Sequence, residues 1–231
     1  RSMRLYDATT GKFSEVARLT KSLPKAPAAT YLYTSKARTH VLALDFDDSR
    51  GGRAAVDADL ATAAEWISRC GGVIVTDHSP TGAHLLCPLA IGTTASFTEI
   101  NHLVRLLEAR LPTLDKTPST NPDFGCLSAP GTPAKRGGYR QLDRPLSAAV
   151  EAFTTRSAPS LLPRLYELLG ALKPPPPSTQ PAASTPPTTP SDYCTGEGDD
   201  QRLAPRWVRD DPIHPDVSEF ARNGKMATGQ R

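Results

Sequence analysis

Paired cysteines, long apolar runs and net charge are all in short supply in this chain, and each shortage narrows what it can be. The four cysteines, Cys70, Cys87, Cys126 and Cys194, are dispersed with no Cys-x-x-Cys pair. That pattern fits neither a zinc ribbon nor a secreted disulfide framework, so no zinc and a reducing, cytoplasmic setting are expected. Cys87 lies in an apolar run and Cys126 in a predicted strand, where a free thiol behaves as a small hydrophobe. No apolar stretch approaches the roughly 20 residues of a membrane span, and the N-terminus lacks a signal-type apolar region, so no membrane partner is expected. The formal charge of +3 is too small to argue for nucleic acid by itself, and local clustering must carry any such claim. At 231 residues the chain can build one sizeable core and one or two domains. Arg1 and Ser2 precede Met3 and read as a cloning scar outside the fold.

What is present is concentrated in Val41-Leu42-Ala43-Leu44-Asp45-Phe46-Asp47-Asp48, an apolar β-type run that ends in carboxylates at alternate positions. Alternation along a strand projects Asp45 and Asp47 to one side, roughly 7 Å apart, and turns Phe46 into the core. Two carboxylates so placed can hold Mg²⁺ or Mn²⁺, which favour oxygen ligands. Aspartate also ends strands for purely local reasons, so the motif gains weight only from its surroundings.

Around it the hydrophobic spacing predicts a mixture of hairpins and helices. Residues 3–30 are polar with a short amphipathic stretch at 13–19. Strands are expected at 30–33, at the Asp-x-Asp run, at 73–76 and at 83–89, with short ones near 125–127 and 138–142. Helices are expected at 57–70, 98–111, 146–153 and 161–172. No strand–helix unit repeats, which argues for α+β rather than a doubly wound parallel sheet. The division expected is a catalytic domain over 3–156, a C-terminal helix of the core over 157–172, a Pro-rich linker over 173–191 and a tail or following domain over 192–231. Four consecutive prolines from Pro174 and the Pro/Ser/Thr run after them predict an extended linker.

Two further segments carry chemistry. Ser79-Pro80-Thr81-Gly82-Ala83-His84 joins two strands and gathers hydroxyls, backbone N–H groups and an imidazole, a combination suited to phosphate. The glycine-rich stretch 130–140 supplies Lys135, Arg136 and Arg140, cations able to neutralise a triphosphate or a nucleic-acid backbone.

In this order the motifs resemble the archaeo-eukaryotic primase superfamily: Leu-Ala-Leu-Asp-Phe-Asp, then Ser-Pro-Thr-Gly-Ala-His-Leu, then Leu-Asp-Lys-Thr-Pro, then Ala-Pro-Gly-Thr with Lys-Arg-Gly-Gly-Tyr-Arg-Gln-Leu. The likeness runs from about Tyr31 to Leu142 and is nearest to primase-polymerase domains of phage and plasmid replication proteins. It implies an α+β catalytic core with an RNA-recognition-like sheet flanked by helices. It also implies a nucleotidyltransferase that makes and extends primers from NTPs or dNTPs on single-stranded DNA, with a helicase in the same native polypeptide and a host-cell cytoplasmic location if phage-encoded. By the resemblance, Asp45, Asp47 and Asp115 are the acids that bind Mg²⁺ or Mn²⁺, and His84 meets the phosphates of the incoming nucleotide. Ser79, Thr81, Gly82, Lys135, Arg136 and Arg140 complete the nucleotide site. Two alternatives on the same fold are a non-polymerising replication-initiator or DNA-binding module and a repair or end-extending polymerase. The last motif departs from the family pattern, with Ser128, Ala129, Thr132 and Ala134 where basic residues, Pro-Pro-Gly-Ser and a His are usual. For the third acid, Asp115 competes with Asp123. Leu111 to Leu114 can form a strand beside the Asp-x-Asp strand and aim Asp115 at the same ions, whereas Asn-Pro-Asp-Phe-Gly reads as a turn that occupies Asp123 with its own backbone.

Overall fold

A computed structural model describes residues 2–20, 22–174, 194–195 and 202–203. The chain divides into two units, Arg1–Pro177 and Ser178–Arg231. In the second, β12 (Cys194–Thr195) pairs antiparallel with β13 (Arg202–Leu203). The Pro-rich run beyond Pro174 and the rest of the 192–231 tail lie outside the described residues.

The first unit is α+β and all its described strand pairings are antiparallel. It opens with β1 (Ser2–Asp7) and β2 (Lys12–Arg18), a hairpin closed by Asp7, whose carboxylate accepts from the Thr9 N–H and the Thr10 hydroxyl. The polar N-terminal stretch expected from the sequence is therefore strand, and Ser2, set aside as a scar, pairs with Arg18. Its apolar residues alternate with charged ones too sparsely to announce a buried face: Met3 is buried, while Arg4 and Tyr6 occupy the other side. With β3 (Ala28–Tyr31) and β10 (Cys126–Ser128) the hairpin makes a four-stranded sheet in the order β10-β3-β1-β2.

The second sheet holds the Asp-x-Asp strand. After the short β4 (Arg38–Thr39) come β5 (Val41–Asp47), α1 (Arg53–Arg69), β6 (Val75–Ser79) and β7 (Gly82–Pro88). Then follow β8 (Ala95–Ser96), which pairs with β4, α2 (Phe97–Glu108) and β9 (Leu114–Asp115). The strands lie in the order β11-β6-β7-β5-β9, with β11 (Gln141–Leu142) at one edge. Helix α1 starts four residues earlier than its apolar spacing suggests, because Gly52 takes a left-handed φ of 82° and turns the chain directly into Arg53. Helix α2 starts where the Ser96 side chain accepts from the Glu99 N–H.

Alternation sorts the faces. Leu42, Leu44 and Phe46 of β5, with Ala83, Leu85 and Cys87 of β7, bury against Val56, Ala63 and Ile67 of α1 and Leu103 and Leu107 of α2. Deleting a ring such as Phe46 would cost about 3–5 kcal/mol in this packing. On the other face, α3 (Leu146–Thr155) seats Ala149 and Ala152 over Val75 and Leu86. The next row of side chains on that face, toward the Gly82 end of the sheet, is the acidic one. Finally α4 (Leu161–Leu168), shorter than the expected 161–172, anchors by the Tyr166 hydroxyl donating to the Glu99 carbonyl at 2.7 Å.

Candidate active site

The antiparallel register places four residues side by side across four strands. Asp77 of β6 pairs with His84 of β7, His84 with Asp45 of β5, and Asp45 with Asp115 of β9. Directly paired residues share a face, so three carboxylates and an imidazole form one row. In the row above, Ser79 pairs with Gly82 and Gly82 with Asp47. Gly82 is glycine for a reason internal to the sheet: a Cβ there would lie 2.2 Å from the Phe46 carbonyl oxygen.

The two candidates for the third acid are placed differently by this register. Asp115 lies beside Asp45, whereas Asp123 is exposed in a turn and does not line the cleft. The expected turn at Asp123 forms differently: the Asn121 side chain accepts from the N–H groups of Asp123 and Phe124.

Each of the three acids commits one oxygen to the protein. Asp45 Oδ1 lies 3.2 Å from His84 Nε2, Asp47 Oδ1 accepts from the Ser49 N–H at 2.9 Å, and Asp115 Oδ1 meets Arg50 at 3.0 Å and the Thr117 hydroxyl at 2.7 Å. Among the described residues no three His, Cys, Asp or Glu side chains converge as a ready-made metal cage. The donor chemistry nonetheless fits a hard divalent cation, since each carboxylate has a second oxygen with no protein partner among the described residues and all three border the same open space.

Beneath them is a network that the sequence reading missed. Asp77 is fully buried and ion-paired with Arg140, whose other nitrogen donates to the Ser79 hydroxyl at 3.2 Å. His84, also buried, sits between Asp77 and Asp45, each at 3.2 Å, though Nδ1 is poorly aligned for a hydrogen bond with Asp77. Burial pushes the imidazole pKa down, but Asp45 first and then Asp77 outweigh it, and the pKa stands above the ordinary histidine value. The signal for Asp77 was available in Val75-x-Asp77-x-Ser79, but ending the expected strand at Thr76 hid it; β6 runs from Val75 to Ser79 with that alternation buried. Arg50, joined to Glu108, Asp115 and the Leu114 carbonyl, carried no sequence signal, because its partners come from distant segments.

A cleft of about 580 Å³ opens over the row, within the usual range for small-molecule sites. Asp45, Asp47, Asp115 and His84 line it, as do Ser79, Thr81, Gly82, Lys135, Arg136 and Arg140, so the structure gathers every residue nominated from the sequence. They are not equivalent within it. Ser79 and Arg140 are buried, with Arg140 bridging Asp77 and the Ser79 hydroxyl, whereas Lys135 and Arg136 have no carboxylate partner among the described residues. Phe13 and Phe124 also border the cleft and were not anticipated. No protein-family model, curated protein or solved structure matches the chain. No described helix is long and apolar enough to cross a membrane.

Proposed function

We propose that the protein is a DNA-dependent nucleotidyltransferase of the archaeo-eukaryotic primase type, which starts and extends primers on single-stranded DNA. The observation that carries this reading is the row Asp45–Asp115 with Asp47 two residues on, flanked by His84 and facing unpaired cations in one cleft. The strand order adds support. The segment β5-α1-β6-β7-α2-β9 is a β-α-β-β-α-β unit whose second, third, first and fourth strands are neighbours, the arrangement of split βαβ and RNA-recognition-like modules.

In this reading Asp45, Asp47 and Asp115 hold Mg²⁺ or Mn²⁺, which supplies charge stabilisation at the α-phosphorus and a more acidic 3′-hydroxyl. His84, charged between two carboxylates, offers a positive group to the nucleotide phosphates from the floor of the cleft. Its pKa stands above the ordinary histidine value because Asp45 and Asp77 flank it, which favours the imidazolium form. Lys135 and Arg136 add positive charge where the triphosphate develops more negative charge. Asp77 and Arg140 hold the imidazole from behind.

The Arg50–Asp115 ion pair favours one second reading, a DNA-binding module on the same fold that does not polymerise, because it balances the third acid from within the protein. Incubation with labelled NTPs or dNTPs, Mn²⁺ and unprimed single-stranded DNA separates the two. New primers support the transferase, and no product from a folded, DNA-binding protein supports the module.

A further inference from the structure

We propose that the N-terminal sheet and the loops beside the cleft form a binding platform for single-stranded nucleic acid, with bases stacked on Phe124 and Phe13 and phosphates met by Arg4, Lys135 and Arg136. Arg4 and Phe13 lie on β1 and β2, whereas Phe124, Lys135 and Arg136 lie on the loops before and after β10. Tyr6 and Phe13 are partners across the hairpin, and their rings pack edge to face with centroids 5.6 Å apart. Lys135 Nζ stands 4.5 Å from the Phe13 ring centre and 5.6 Å from that of Tyr6. Arg4, on the same strand face as Tyr6, places its guanidinium carbon 5.4 Å from the centre of the Phe124 ring.

Among the described residues, Arg4 and Lys135 alone of the unit's cations stand over aromatic rings. Arg50, Arg53, Arg69, Lys116, Arg140 and Lys173 all meet a carboxylate. Arg4, Lys135 and Arg136 meet none among the described residues, and Arg4 Nε is buried without a hydrogen-bond partner. A cation held over an aromatic face gains about 0.5–1 kcal/mol at an exposed site and keeps its full charge, so the grouping remains unbalanced until an anion arrives. Phe124 is 60% exposed, so most of its apolar surface contributes nothing to the fold and remains available for contact.

Rings interleaved with unpaired cations match the base–phosphate repeat of a single strand. Each stacked base is worth about 1–3 kcal/mol and the stacking is tolerant of sequence. A duplex keeps its bases stacked on one another and offers these rings nothing. One mononucleotide would use one ring, whereas Phe13 and Phe124 sit on separate segments that both border the cleft. The proposal rests on the transferase reading only in calling the bound strand a template.

The test is fluorescence anisotropy of a labelled oligodeoxythymidine with the full chain, without nucleotide or divalent cation, in parallel with primer synthesis. Phe124→Ala should weaken binding about tenfold and Phe124→Tyr should restore it, while melting temperature changes little because the ring is exposed. Arg4→Gln and Lys135→Gln should each flatten the slope of log affinity against log salt by about 0.7. A duplex of equal length should bind more weakly and be indifferent to Phe124→Ala. Unchanged oligothymidine affinity in a folded Phe124→Ala protein would overturn the platform, as would a duplex that loses affinity equally. If the unaltered protein makes no primers but its oligothymidine binding depends on Phe124, the platform stands and the transferase reading falls; primer synthesis with Phe124-independent binding gives the reverse.

Discussion

Asp77 and Arg140 form a buried ion pair directly behind His84, and the two charges tolerate burial only together. Asp77→Ala would strand the guanidinium without its counterion, at a cost of about 3–5 kcal/mol, and chemical denaturation should show that loss. His84 is a separate matter of pH. Its folded pKa is raised, so its contribution to stability is fully present below the unfolded value of about 6.5 and is lost as pH rises through the folded value. Nucleotide affinity should fall over that same upper window, as the imidazolium loses its proton. Titration calorimetry across pH should find this dependence removed in His84→Gln, with the nucleotide bound more weakly throughout. At this scale the sequence was informative where chemistry and strand register coincide, as at Asp45, Asp47 and His84. It was silent on Arg50 and Phe124, whose roles depend on segments distant in the chain, and it nominated Ser79 and Arg140 for the nucleotide site without revealing that both are buried.

The Asp-x-Asp strand was legible as an element because an apolar run with carboxylates at its end admits few other structures, and β9 because Leu114-Asp115 follows Pro112, which bars continuation of the preceding helix. The β1–β2 hairpin was not, since the half-buried face that carries Arg4, Tyr6 and Phe13 breaks the expected polar alternation. The backbones of β7 and β5 approach closely at Gly82. Gly82→Ala would push a methyl group into the Phe46 carbonyl and force the strands apart beside Asp47. The expected result is a lower melting temperature together with activity reduced beyond what the stability loss explains, measured at a temperature where the variant is still folded.

Across the whole molecule, the α+β class followed from the absence of a repeating strand–helix unit, and the paired sheets with their flanking helices agree with it. The boundary near Pro174 follows from composition, and the first unit has its own core and closes on itself through Tyr166–Glu99 and Lys173–Glu99. A chain ending at Pro174 should therefore fold cooperatively and bind nucleotide with affinity close to that of the full chain, as melting and calorimetry would show. The central claim concerns the acids themselves. Labelled nucleotides, Mn²⁺ and unprimed single-stranded DNA should yield primers with the unaltered protein, and none with Asp45→Asn/Asp47→Asn, which keeps both side-chain shapes, has the same circular dichroism spectrum and still binds the DNA. Primer synthesis by that folded double variant at the unaltered rate would contradict the account.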